Sequence, residues 1–154
     1  YSGAFADEAY LLIDSMVIPT TSKQPTWIAL KGRGRWIHVP VGESIYPIEP
    51  GYYWVKHIDF QKSKLSGFGS VHSESGPGLF SFHALPDAIT HVGIVELRKG
   101  QQDQHGNDYT TRLRLAPELL NWACHKNPIA FSKLPVKYLD EADEVKTMKV
   151  RCET

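Results

Sequence analysis

A chain of 154 residues, 42% hydrophobic and 22% charged, fits one globular domain spanning residues 1–154, and this composition excludes wholesale disorder. Its 17 basic residues balance 17 acidic ones, which argues against a dedicated nucleic-acid binder and against a polybasic membrane anchor. No stretch approaches the ~18 consecutive apolar residues of a membrane-crossing helix.

Ten prolines and twelve glycines punctuate short β-rich runs, the pattern of an all-β sandwich or barrel. The first run, residues 8–18, is apolar on both faces: Ala9, Leu11, Ile13 and Val17 alternate with Tyr10, Leu12, Met16 and Ile18. That pattern predicts a central strand. A loop at 19–25 leads to a strand at 27–30, a hairpin turn at Lys31-Gly32-Arg33-Gly34, and a returning strand at 35–39. Ile48-Glu49-Pro50-Gly51 reads as a turn before a long strand at 52–60. Residues 61–78 are polar and rich in Gly and Ser and read as a loop, with a short strand at 69–72. Alternation predicts further strands at 79–84, 90–98 and 109–115, the last two joined by a hairpin loop at 100–107.

One helix is expected, at 117–126. Pro117 suits the first helical position, Glu118 favours the positive end of the dipole, and Pro128 stops the helix. Leu119, Leu120, Ala123 and Cys124 then share a face. The acidic stretch 140–144 reads as a solvated turn or short helix, and 145–151 as a last strand. The expected fold is therefore mostly β. It is an antiparallel β-sandwich, prealbumin-like or immunoglobulin-like, of about seven to nine strands with one short C-terminal helix.

The two cysteines, Cys124 and Cys152, allow one intramolecular pairing. A disulfide between them clips the C-terminal strand to the helix, is worth roughly 3.5 kcal/mol in the chain-entropy model, and points to an oxidising compartment.

Three pieces of the middle of the chain carry a resemblance: Glu49-Pro50-Gly51-Tyr52-Tyr53-Trp54-Val55, Leu79-Phe80-Ser81-Phe82 and Thr90-His91-Val92-Gly93-Ile94. Behind a hydrophobic first strand, they resemble the β-sandwich domains, of uncharacterised function, found in small Gram-negative envelope lipoproteins. The resemblance implies an envelope location, periplasmic or anchored at the outer membrane, and no catalytic residue. The chain opens on Tyr1 rather than Met, as expected where a signal peptide has been removed, with a lipid anchor at that N-terminus as the lipoprotein variant.

The nucleophile elbow, the P-loop, the dinucleotide fingerprint and the paired-histidine zinc helix are all absent. Among seven histidines, His57 and Asp59 stand two apart on one strand face and form a candidate divalent-metal pair, with His72 or His83 as a further ligand. Ser81, His83 and Asp87 assemble into a hydrolytic trio only on paper, with nothing to supply an oxyanion hole. Trp27, Trp36 and Trp54 fall on neighbouring strands and, with Tyr52 and Tyr53, are candidates for a flat platform binding sugar rings or peptide aromatics. Arg33 and Arg35 beside Lys31 form a small basic tip.

The leading expectation is a non-catalytic, secreted or envelope-anchored accessory domain. It acts by protein–protein contact on another envelope protein, with no cofactor. The alternatives are a carbohydrate- or peptidoglycan-binding module using the Trp/Tyr platform on cell-wall glycan, and a metal-binding protein using the surface His and Asp.

Overall fold

The computed structural model describes residues 9–18, 24–42, 45–60, 70–72, 79–99, 109–139, 144–148, 150 and 152 of the chain. The expected loops at 19–23, 61–69, 73–78 and 100–107, the acidic stretch at 140–143, and the side chain of His72 lie outside the described residues. In chain order the elements are β1 (Ala9–Ile18), β2 (Pro25–Gly32), β3 (Arg35–Pro40), β4 (Tyr46–Ile48), β5 (Gly51–Phe60), β6 (Ser70–His72), β7 (Phe80–Ala84), β8 (Ala88–Lys99) and β9 (Tyr109–Arg114). Helices α1 (Pro117–Lys126) and α2 (Pro128–Lys133) and strands β10 (Val136–Leu139) and β11 (Val145–Met148) complete them.

The strands form two sheets. Sheet A runs β11-β10-β8-β1-β4, with β9 also pairing β8. Sheet B runs β3-β2-β5-β6, with β7 also pairing β5. Sheet B is antiparallel throughout. Sheet A is mixed, which corrects the expectation of an antiparallel arrangement: β1 pairs β8 in parallel along its whole length, and β10 joins β8 in parallel at Ile89 and Thr90. The physical reason is the double-sided apolar character of β1 and β8, which requires both faces covered, as in parallel or central strands.

Both faces are covered. Ala9, Leu11, Ile13 and Val17 of β1, with Val92, Val95 and Leu97 of β8, join Ile28, Leu30, Val55 and Ile58 of sheet B in one apolar cluster. The other face of β1 and β8, through Tyr10, Leu12, Ile89 and Ile94, packs on Leu119, Leu120, Ala123 and Phe131 of the helices. A register shift between Leu12 and Ile13 marks a bulge in β8. Gly93 sits there at φ +117, where a Cβ would run into the carbonyl oxygen of Arg114.

The hairpin between β2 and β3 turns through Arg33 (φ 53) and Gly34 (φ 77), both left-handed, as a two-residue hairpin of matching twist requires. Helix α1 begins at Pro117 with Glu118 in its first turn, and Asn127 donates its N–H back to the carbonyls of Ala123 and Cys124. Pro128 ends α1 and takes the first-turn position of a second helix, so the single expected helix is corrected to two. The last strand, expected over 145–151, ends at Met148. Cys124, fully buried on the inner face of α1, is bonded to Cys152 with Cα atoms 5.4 Å apart. The bond ties the segment after β11 to the helix layer.

Candidate functional site

The outer face of sheet B follows from its register. Side chains directly opposite one another in a ladder share a face. Ile28 faces Val39 and Ile58, and Leu30 faces Ile37 and Val55; these point at the core. The alternate set therefore points away from it. Along this set Trp27 lies opposite Pro40 and Asp59, Ala29 opposite His38 and His57, and Lys31 opposite Trp36 and Trp54. Trp54 in turn lies opposite Ser81, and Tyr52 opposite His83.

Four of the five aromatics expected to form a platform are thus brought together on β2, β3 and β5. Trp27 is 45% exposed, Trp36 47% and Tyr52 67%, and Trp54 is half-buried among them. Tyr53 is corrected. It is fully buried in the core, its ring 5.9 Å from Phe82 and its hydroxyl donating to the carbonyl of Glu49 at 2.6 Å. Adjacent residues of a strand point to opposite faces, so Tyr52 and Tyr53 cannot serve one surface.

Polar side chains are interleaved with the rings. The Lys31 ammonium stands 5.0 Å from the Trp36 ring centroid, a cation–π contact. The His57 ring meets Trp36 edge-on at 5.3 Å, and His83 stacks on Tyr52 at 4.2 Å. His38 was not singled out in the sequence, and Lys31 was read only as part of the basic tip. Their signal was available, since both alternate with tryptophan at strand spacing (Trp27-Ala29-Lys31 and Trp36-His38). In the described part of this face the outward positions named above hold no Ile, Leu, Val or Met.

Of the candidate metal ligands, His57 and Asp59 share the outer face, the side chain of His72 lies outside the described residues, and His83 stands apart from them. His57 pairs with His72 in the backbone register, while His83 pairs with Tyr52, five positions earlier on β5. At about 3.3 Å per residue this separates His83 from His57 by roughly 16 Å. Among the described residues no group of three or more His, Cys, Asp or Glu stands close enough to hold a metal ion. Ser81 and His83 share β7 but no hydrogen bond joins them; His83 is engaged by Tyr52.

The basic tip is also changed by a partner. Glu49 takes the Arg35 guanidinium at 2.7 Å and Arg33 at 2.9 Å, and Arg33 also donates to the carbonyl of Pro50. Arg35 first, then Arg33, hold the Glu49 carboxyl below the usual carboxylate range. All three side chains are well exposed, so the cluster shapes the hairpin end more than it stabilises the fold. Compared with protein-family models, characterised proteins and solved structures, the chain finds no match, so the reading of the aromatic face rests on its own geometry.

Proposed function

We propose that this chain is a non-catalytic binding domain of the bacterial envelope that takes up cell-wall glycan on the outer face of sheet B. The observation that carries the reading is the exposure of Trp27, Trp36 and Tyr52, with Trp54, on one side of three neighbouring strands. A pyranose presents polarised C–H groups on its faces and hydroxyls around its edge. The first suit the negative faces of aromatic rings; the second suit donors and acceptors such as Lys31, His38, His57 and Asp59. A face whose apolar area is aromatic, with the aliphatic residues turned inward, favours rings over a general apolar partner.

The finer fold reading is a β-sandwich, supported by the apolar cluster that draws on both sheets. The Cys124–Cys152 bond supports an oxidising compartment, of which the periplasm or the outer-membrane surface is the one we propose. A protein partner on the same face is the second reading, favoured by tryptophan and tyrosine being the residues that dominate interface energetics.

Titration with a soluble chitin hexasaccharide and with peptidoglycan fragments, followed by tryptophan fluorescence, tests the proposal. Binding is expected, and Trp27→Ala and Trp36→Ala should each abolish it while the fold is retained. Unchanged fluorescence with both glycans refutes the glycan reading. Loss of cross-linking to an envelope protein in the same two variants would then support the second.

A further inference from the structure

A second site lies in sheet A, away from the tryptophans. Along the edge of β8 turned away from β1, β9 pairs with residues from Ile94 to Lys99, and β10 pairs with Ile89 and Thr90. The stretch His91–Gly93 falls between these two ladders. A cleft of about 610 Å³ opens at this notch, floored by Thr90, His91 and Val92 and walled by β9, by β10, and by Ser81 and His83 of β7 in sheet B. The volume is that of a small-molecule pocket.

His91 is the group the fold leaves unfinished. It is 2% exposed, and its Nε2 accepts the backbone N–H of Ala116 at 3.4 Å. An imidazole accepting at Nε2 carries its proton on Nδ1 when neutral. That Nδ1–H is the only buried side-chain nitrogen or oxygen without a hydrogen-bond partner among the described residues. Leaving a buried donor unmade is costly, and native structures reserve such groups for a reason.

The two charged residues that line the cleft, Arg112 and Arg114, are both basic, while Ser81, His83 and Tyr138 add groups that can donate or accept. Thr90 Oγ1 accepts from the backbone N–H of Leu85, which leaves its own hydroxyl proton to donate. Arg114 is held by two carboxylates, Glu96 at 3.1 Å and Glu118 at 2.7 Å, neither of which lines the cleft. Arg112, exposed on the wall, pairs with no carboxylate among the described residues. The unmet Nδ1–H, the Thr90 hydroxyl and the Arg112 guanidinium are all donors, and a carboxylate is an acceptor that can meet them. Phe82, Leu113 and Leu115 supply apolar wall for the rest of a ligand.

We infer that this cleft binds a small organic carboxylate with an apolar body, its oxygens taken by the His91 imidazole and the Arg112 guanidinium. No tryptophan lines the cleft, and the groups that take the carboxylate, His91 and Arg112, belong to sheet A and not to the aromatic face. The test titrates the protein with 4-phenylbutyrate and with the neutral 4-phenylbutanamide, reading the histidine ring nitrogens by NMR. The carboxylate is expected to move the His91 ring resonances. Arg112→Gln, a surface change that leaves the free protein's spectrum intact, should weaken the acid about tenfold, or ~1.4 kcal/mol. The amide should bind the wild type as weakly as the acid binds the variant. His91 resonances unmoved at about 10 mM acid, a concentration that would reveal even millimolar affinity, overturn the inference. So does equal affinity of the acid for wild type and Arg112→Gln.

Discussion

Acidification should weaken this fold through His91. Burial pushes its imidazole down from the ordinary 6.5 to about 4, with the nearby Glu118 carboxylate opposing the shift only in part. The unfolded chain therefore takes up a proton near pH 6.5, whereas the folded protein refuses it until about pH 4. Between those values the unfolded state binds more protons, so stability falls as pH falls. Above pH 6.5 this group costs nothing, and below about 4 its effect levels off. At 1.36 kcal/mol per unit, the loss across the window is ~3 kcal/mol, a sizeable share of a small domain's stability. Other acidic groups act in the same range. The Asp14 carboxyl is raised by burial and responds in the opposite sense. Glu49 is held low by Arg35 and Arg33, and Glu118 by its own backbone N–H and then by Arg114; both lose that stabilisation only toward lower pH. His91→Gln isolates the histidine, because glutamine retains a carbonyl for the Ala116 N–H and does not titrate. Urea unfolding at pH 7, 6, 5 and 4 should show the variant gaining ~3 kcal/mol on the wild type as pH drops. Parallel stability curves for the two proteins would refute the buried, neutral state assigned to His91.

Replacing both Cys124 and Cys152 by Ala should cost about 3.5 kcal/mol by releasing loop entropy to the unfolded chain, and a urea midpoint unchanged from the oxidised wild type would contradict it. Gly93→Ala forces a side chain against the Arg114 carbonyl at a positive φ, and should lose ~2 kcal/mol or more by thermal melting. Tyr53→Phe should lose ~1 kcal/mol with its hydrogen bond to Glu49, whereas Trp36→Ala, on the open face, should lose less than about 1 kcal/mol by the same melt.

Local pattern carried much of this protein. The double-sided apolar run of β1 told that it is covered on both faces, and it lies between β4 and β8 with helices on one side and sheet B on the other. Pro117, Glu118 and the spacing of Leu119, Leu120, Ala123 and Cys124 marked α1 and its buried face. Strand alternation placed Trp27, Trp36, Trp54 and Tyr52 for a common surface, and the same alternation, read one residue further, excludes Tyr53 from it.

Other features had no local signal. The three-residue β4 and four-residue β10 are too short to show a period. A proline serves equally as the end of one helix and the start of the next, and only packing of Ala130 and Phe131 made Pro128 the latter. The parallel pairing of β1 with β8 joins segments about 80 residues apart, as Ser15 bonding the Val95 carbonyl illustrates. The cleft at His91 exists because β9 leaves the β8 edge before β10 arrives, and the ring's partner, Ala116, is 25 residues away. Periodicity along a chain determines which side of a strand a residue occupies. Which strand arrives beside it, and so whether a histidine is solvated or buried with one nitrogen unmet, is decided by contacts between distant segments that form only when the chain closes on itself.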